Sequence, residues 1–438
     1  MSIYKSINHS NPKIRSLLKS ILKLHPEEIN LSLNRIKVLL NKLNNPHKKL
    51  PRAIHIAGTN GKGSVATSLY QLQKLNGKKV HVYRSPHLIT FNERIIVANK
   101  KIDDDLFYHS LKHVYNINKD NIITFFEFLT ATAFYIFSNF KADLLVCEVG
   151  LGGKYDATNV LNGKNKICII TTIGLDHKEF LGNSLKKIAK EKLGILKKKS
   201  ILISTSQNKK VYEEVFLESI KKNCKTFLYG KDWYIRNKYF YLENKKKISL
   251  ENLSLEGRHQ YKNVGCAIVA CSKIKNLYIE KDKILKFIKN LEWQGRLQKL
   301  NGSISKKHPN IEFWADCAHN PLGFMALRTW VLKKNISNLI IILGVGIAKD
   351  YKGILKQIKK MKPNSLILLN KTNFNSRPAK ELYIEAKKLK LNCNLLGDIY
   401  DAINIFSKKK YQTTKAVCLL AGSINLVGEV IKLDNNET

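Results

Sequence analysis

The chain alternates short apolar runs with longer stretches whose apolar residues recur every three or four positions. The runs are "AIHIA" (53–57), "KVHVY" (79–83), "DLLVCEV" (143–149), "KICIITTI" (166–173) and "SILIS" (200–204). They are followed by "IEFWAD" (311–316), "NLIIILGV" (338–345), "SLILLN" (365–370) and "AVCLLAG" (416–422). Runs this apolar, separated by helical periodicity, predict parallel strands buried on both faces, hence a doubly wound α/β architecture. A polar turn at "EWQGRLQ" (292–298) separates a helical region from the second group of runs, and predicts a division into 1–292 and 293–438.

Open parallel sheets collect ligands beyond the carboxyl ends of their strands, and that is where the chemistry-bearing residues fall. Arg84-Ser85-Pro86-His87 follows the second run, and Glu148 with "GLGGKYDATN" (150–159) ends the third. Leu175-Asp176-His177 ends the fourth, Cys317-Ala318-His319-Asn320-Pro321 follows the sixth, and Gly422-Ser423 ends the last. The first run leads into Gly58-Thr59-Asn60-Gly61-Lys62-Gly63-Ser64 and then a helical pattern. Three glycines let backbone N–H groups approach an anion, the helix start adds partial positive charge, and Lys62 can reach a terminal phosphate. The usual phosphate-loop string has Ser or Thr directly after the lysine, whereas here Gly63 intervenes before Ser64. The bland alternative is a glycine-rich turn with a solvated lysine.

Composition narrows the rest. A chain of 438 residues, 44% hydrophobic, is expected to fold as two domains. Its formal charge of +42, from 76 Lys+Arg against 34 Asp+Glu, raises nucleic acid or an anionic membrane as partners. The lysines are spread throughout, and runs such as "LKKKS" (196–200) lack interleaved aromatics, so a solvated basic surface is expected and no specific nucleic acid. The eight cysteines contain no CxxC pair and several sit inside apolar runs, as expected of reduced core residues. No apolar stretch approaches the ~20 residues needed to cross a bilayer. Residues 1–20 are basic but lack a signal-peptide centre, so a cytoplasmic protein with no membrane association is expected.

Taken together, the ordered motifs "HIAGTNGKGS", "SPHL" with "FNERI", "EVGLGG" with "YDATN", "IGLDHKEFLG", "EKLGILK", "LEGRHQYKN", "WQGRLQ", "DCAHNP" and "GSINLVGE" resemble the folylpolyglutamate synthase/dihydrofolate synthase family of the Mur-ligase superfamily. The resemblance runs from residue 24 to residue 430. It implies a phosphate-loop ATPase domain with a parallel sheet, followed by a smaller Rossmann-like α/β domain that binds glutamate and acts as a lid. It also implies an ATP-dependent carbon–nitrogen ligase that adds L-glutamate to dihydropteroate and to reduced folates, acting as a monomer.

By matching motifs, the loop from Gly58 to Ser64 would hold ATP, with Asn263, Arg296 and Asp316 as further nucleotide contacts. Ser85, Glu148 and His177 would serve two Mg²⁺ ions, although imidazole prefers softer metals. Lys192 matches a lysine that the family carbamylates, and with Lys62 and His319 it forms the catalytic set. Asp316, His319 and Ser423 match glutamate-side positions, and Cys317 stands where the family has Gly. The pterin side would comprise Asn30, Leu31 and Ser32, then Phe126 and Glu127, then Tyr155, Asp156 and Ala157, with Asn30 and Asp156 separating dihydropteroate from folates. Simple packing of 31–43 and 125–131 as core helices is the plain alternative there. Two rival functions stay open. One is a Mur-type cell-wall ligase, which would ordinarily need more than the roughly fifty residues that precede the loop; the other is a basic nucleic-acid-binding protein.

Overall fold

The computed structural model describes residues 9–26, 31–162, 166–242, 247–408, 413 and 415–435. Two compact units emerge. Of the described residues, one gathers those from His9 to Ser254 with Gln260–Leu291, and the other joins Leu255–His259 to those from Glu292 onward.

The first unit is built on β1 (Ala53–Ala57), β2 (Val80–Tyr83), β3 (Ile95–Val97), β4 (Lys100–Lys101), β5 (Leu144–Glu148), β6 (Ile167–Ile170), β7 (Ile201–Ser204) and β8 (Lys225–Leu228). Their order across the sheet is β4-β3-β2-β5-β1-β6-β7-β8. From β2 to β8 the pairing is parallel, and the β3–β4 hairpin extends one edge in antiparallel fashion. β1 lies between β5 and β6, so the loops leaving these three strands emerge side by side at their carboxyl ends. The apolar runs become the central strands because both sheet faces are covered: every residue of β2, β5 and β6 is buried. A small antiparallel sheet of β9 (Trp233–Arg236), β10 (Tyr239–Leu242) and β11 (Lys247–Ser249) completes the unit.

In the second unit β12 (Gln298–Lys299), β13 (Ile311–Ala315), β14 (Leu339–Leu343), β15 (Ser365–Leu369), β16 (Cys393–Leu396) and β17 (Ala416–Ala421) pair in the order β12-β13-β17-β14-β15-β16. All but β12 run parallel. Phe324, Leu327 and Trp330 from one helix, and Ile354, Leu355 and Ile358 from another, pack on Ile341 and Leu343 of the central strand to form its core. All eight cysteines are free and seven of them are buried, which fits their use as small hydrophobic residues. No helix among the described residues is long and apolar enough to cross a membrane.

Candidate active site

The turn after β1 is shaped by its neighbours. Gly58 has φ +151, and a Cβ there would collide with the Thr171 side chain at the end of β6. The amides of Thr59 and Asn60 donate to the Thr172 carbonyl at 2.9 and 3.2 Å, and the Thr59 hydroxyl meets the Gly174 carbonyl at 3.1 Å. These two amides are therefore committed to the protein, which differs from a loop whose amides all face a ligand. The helix Lys62–Leu75 begins at Gly61, in left-handed geometry and without a side-chain cap. Its first-turn amides have no carbonyl partner within the helix, and they form the anion-seeking end of the turn. Asn263 stands over Gly61 so closely that any Cβ there would strike its amide. Lys62 folds back, with Nζ donating to the Gly58 carbonyl at 3.2 Å and the Thr59 carbonyl at 3.4 Å. Ser64 is buried, and its carbonyl accepts from the Ser68 hydroxyl at 2.8 Å.

At the ends of β2 and β5, the Ser85 amide donates to Glu148 Oε2 at 3.4 Å, bringing the two proposed metal ligands together. Arg84 lies beside them; burial lowers its pKa, opposed by the charges of Glu93 and Glu148. His177, at φ +50, sits 3.9 Å from both Asp176 and Glu179. The Glu148–Ser85 pair offers hard oxygen donors that fit Mg²⁺, and His177 would be held by carboxylates on either side. Among the described residues no group of three or more His, Cys, Asp or Glu is arranged to hold a metal ion by itself, so a bound ion would rely on water and phosphate oxygens for most of its shell.

Lys192 is 5% exposed, near the end of the helix Leu185–Leu193. Burial, reinforced by the charge of Lys62, pulls its pKa down to about 7, against the opposing pull of Asp176, Asp156 and Glu191. The glycine loop after β5 is pressed onto this helix: a Cβ on Gly153 would lie 2.7 Å from the Glu191 carbonyl and 2.8 Å from that of Lys192. Lys154 N donates to the Glu191 carbonyl at 2.8 Å. Phe126 covers Gly150, leaving no room for a side chain there.

Several of the residues expected on the pterin side are tied into the fold. Asp156 is buried, and its carboxylate accepts from Leu151 N at 2.9 Å, Thr158 N at 3.0 Å and the Thr158 hydroxyl. Glu127 forms a capping box with Thr124 and an ion pair with Arg35 at 2.9 Å. Ala157 is buried, while Tyr155 is 38% exposed beneath the Lys154 ammonium. The Ser32 hydroxyl accepts from Asn34 N at 3.0 Å and Leu31 is half-buried, whereas Asn30 lies outside the described residues.

In the second unit Asp316 and His319 follow β13 and Ser423 follows β17, its parallel neighbour. Asp316 accepts from Leu297 N and Ala318 N, both at 2.8 Å, and His319 Nδ1 contacts the Cys317 carbonyl at 2.9 Å. Gly422 N donates to the Ala318 carbonyl at 2.8 Å, fastening the two loops together. The Ser423 hydroxyl accepts from Asn425 N at 3.2 Å, and Arg296 lies over the Trp293 ring.

Residues 56–271 match the Mur ligase middle domain. The chain is 31% identical to the dihydrofolate synthase/folylpolyglutamate synthase of Buchnera aphidicola, over 86% of this chain and 87% of that protein. The chain belongs to the dihydrofolate synthase/folylpolyglutamate synthase family. It is an ATP-dependent acid–amino-acid ligase by that membership. It is also 28% identical to the dihydrofolate synthetase of Saccharomyces cerevisiae, over 93% of this chain and 99% of that one. The folylpolyglutamate synthase of Mycobacterium tuberculosis, solved with ADP and AMPPCP, superposes with a TM-score of 0.85 at 26% identity, covering 97% of this chain and 99% of that one.

Several residues that hold these loops in place are not among the site residues that the motifs mark out. Thr171 and Thr172 brace the Gly58–Ser64 loop from just beyond the neighbouring strand, and Glu191 receives the glycine loop after β5. Thr171 and Thr172 fall inside the fourth apolar run and Glu191 opens "EKLGILK", so local pattern does not set them apart from their neighbours.

Proposed function

We propose that this chain uses ATP and a divalent metal ion to join L-glutamate, through its amino group, to the carboxylate of dihydropteroate and of reduced folates. A carboxylate oxygen attacks the γ-phosphorus and ADP departs, leaving an acyl phosphate. The amine then attacks the acyl carbon and inorganic phosphate leaves. Lys62 and the uncapped start of its helix would neutralise charge on the transferring group. Mg²⁺, held by Glu148 and Ser85 with His177 nearby, would supply further neutralisation when bound. For the second unit, the proposal is that Asp316, His319 and Ser423 take glutamate, a carboxylate suiting the ammonium and the other two its carboxylates.

The observation that carries the reading is the pairing of this nucleotide loop with a buried lysine near neutrality. Only a neutral amine adds CO₂, so Lys192 is suited to become a carbamate, an oxygen donor on a long stem. The test follows phosphate release by purified protein with ATP, Mg²⁺ and glutamate, adding dihydropteroate or tetrahydrofolate. Release that requires both glutamate and the acid, with a product heavier by one glutamate, is expected. Extension of tetrahydrofolate alone would reduce the assignment to folylpolyglutamate synthesis, and silence with both acids would overturn it.

A further inference from the structure

The centre of the first sheet holds polar groups that the proposed chemistry does not use. His55, in the middle of β1, is fully buried, with Cys147 of β5 and Cys168 of β6 directly beside it in register. A polar ring inside an apolar sheet costs stability unless it is bonded. Its Nε2 lies 2.7 Å from the Thr158 hydroxyl.

The direction of that bond follows from the rest of the chain. Asp156 already accepts from Thr158 N and Leu151 N, as an ionised carboxylate does. The Thr158 hydroxyl has one proton, and it goes to Asp156. Thr158 Oγ1 must then accept from His55, so Nε2 carries the hydrogen and the ring is neutral. The bare Nδ1 is buried without a partner, which a neutral ring with this tautomer allows. Burial and the nearby Lys166 and Lys197 charges both disfavour a second proton.

We infer that His55 is a positioning residue for the acid-substrate loop: through Thr158 and Asp156 it fixes residues 150–158, and with them the surface laid against Lys192. The same strand that delivers the phosphate loop at Gly58 thus sets the height of the facing loop from three residues upstream. The inference rests on the proposed function for its kinetic consequence and on hydrogen bonding alone for its structural one.

Three variants test it. His55→Leu removes the donor, His55→Gln keeps an N–H at similar reach, and Thr158→Val removes the hydroxyl while keeping its shape. Leaving one buried acceptor unsatisfied is expected to lower kcat/KM by about tenfold. That loss should appear in the KM for dihydropteroate or tetrahydrofolate, with the KM for ATP unchanged. Glutamine should recover most of it and Thr158→Val should reproduce it. A merely structural histidine would lower the melting temperature of both His55 variants without separating the two KM values. An unchanged acid KM in folded His55→Leu or Thr158→Val, or equal losses in the Leu and Gln variants, overturns the inference. Hydrogen exchange at the Leu151 and Thr158 amides gives a reading independent of activity. Faster exchange there in His55→Leu supports the relay even if the unmodified chain ligates neither acid, whereas unchanged exchange overturns it.

Discussion

The two units present the same kind of edge, yet they use their polar residues differently. In the first, charges are buried beside one another: burial and the Lys62 charge pull the pKa of Lys192 down to about 7. In the second, the corresponding side chains are bonded to their own loops, Asp316 to two backbone amides and His319 to a carbonyl. Electrostatic tension suits groups that must meet developing charge, whereas backbone-bonded side chains suit a template that holds shape. If this contrast is functional, damage to the first edge should appear in turnover and damage to the second should appear first in stability.

The largest effect is expected at Lys62. Lys62→Ala should lower kcat by about 10²–10³ at saturating ATP with little change in melting temperature, as for loss of one preorganised donor. Near-normal turnover would make the loop a structural turn and break the contrast.

Lys192 sharpens it through pH. Its folded value near 7 lies below the usual lysine value of 10.5, so the unfolded chain binds more protons between these two values. Its contribution to stability is therefore least below pH 7 and improves as pH rises through that window. Activity that depends on a neutral amine should fall as pH drops through about 7. Lys192→Ala should be inactive and regain measurable turnover with added acetate or formate, in whose absence full activity would remove the carbamate proposal.

At the second edge, Asp316→Ala would orphan the buried amides of Leu297 and Ala318, costing about 1–3 kcal/mol for each group left unsatisfied. Denaturant unfolding should show that loss, and Asp316→Asn, which keeps an acceptor, should show less. Equal midpoints for wild type and the alanine variant would mean that Asp316 is not part of the template.

The smallest expected difference concerns Asp156. The motif resemblance implies that it helps separate dihydropteroate from folates, but its carboxylate is spent on its own loop. Asp156→Ala should thus lower kcat/KM for the two acids by similar factors. A clearly larger loss with dihydropteroate would restore the selective role.

The long apolar runs were legible as strands because parallel strands buried on both faces need unbroken hydrophobicity. The edges were less so. β8 and β16 are half solvated, and β9–β11 form an antiparallel meander with exposed positions, so their sequences are short and mixed. Lys62, Glu148 and Ser85 could be placed by motif because each stands at the carboxyl end of a strand or in the turn that follows it.

Sequence by itself determined which strands are buried, where the polar residues leave them, and which family the chain belongs to, since these depend on local pattern and order. Only the tertiary structure decided what state those residues are in. The near-neutral Lys192 needs burial beside Lys62; the commitment of Thr59 and Asn60 amides needs Thr172, more than a hundred residues away; and the tautomer of His55 needs Thr158 and Asp156. Protonation and hydrogen-bond direction are set by neighbours in space, and no local pattern carries that information.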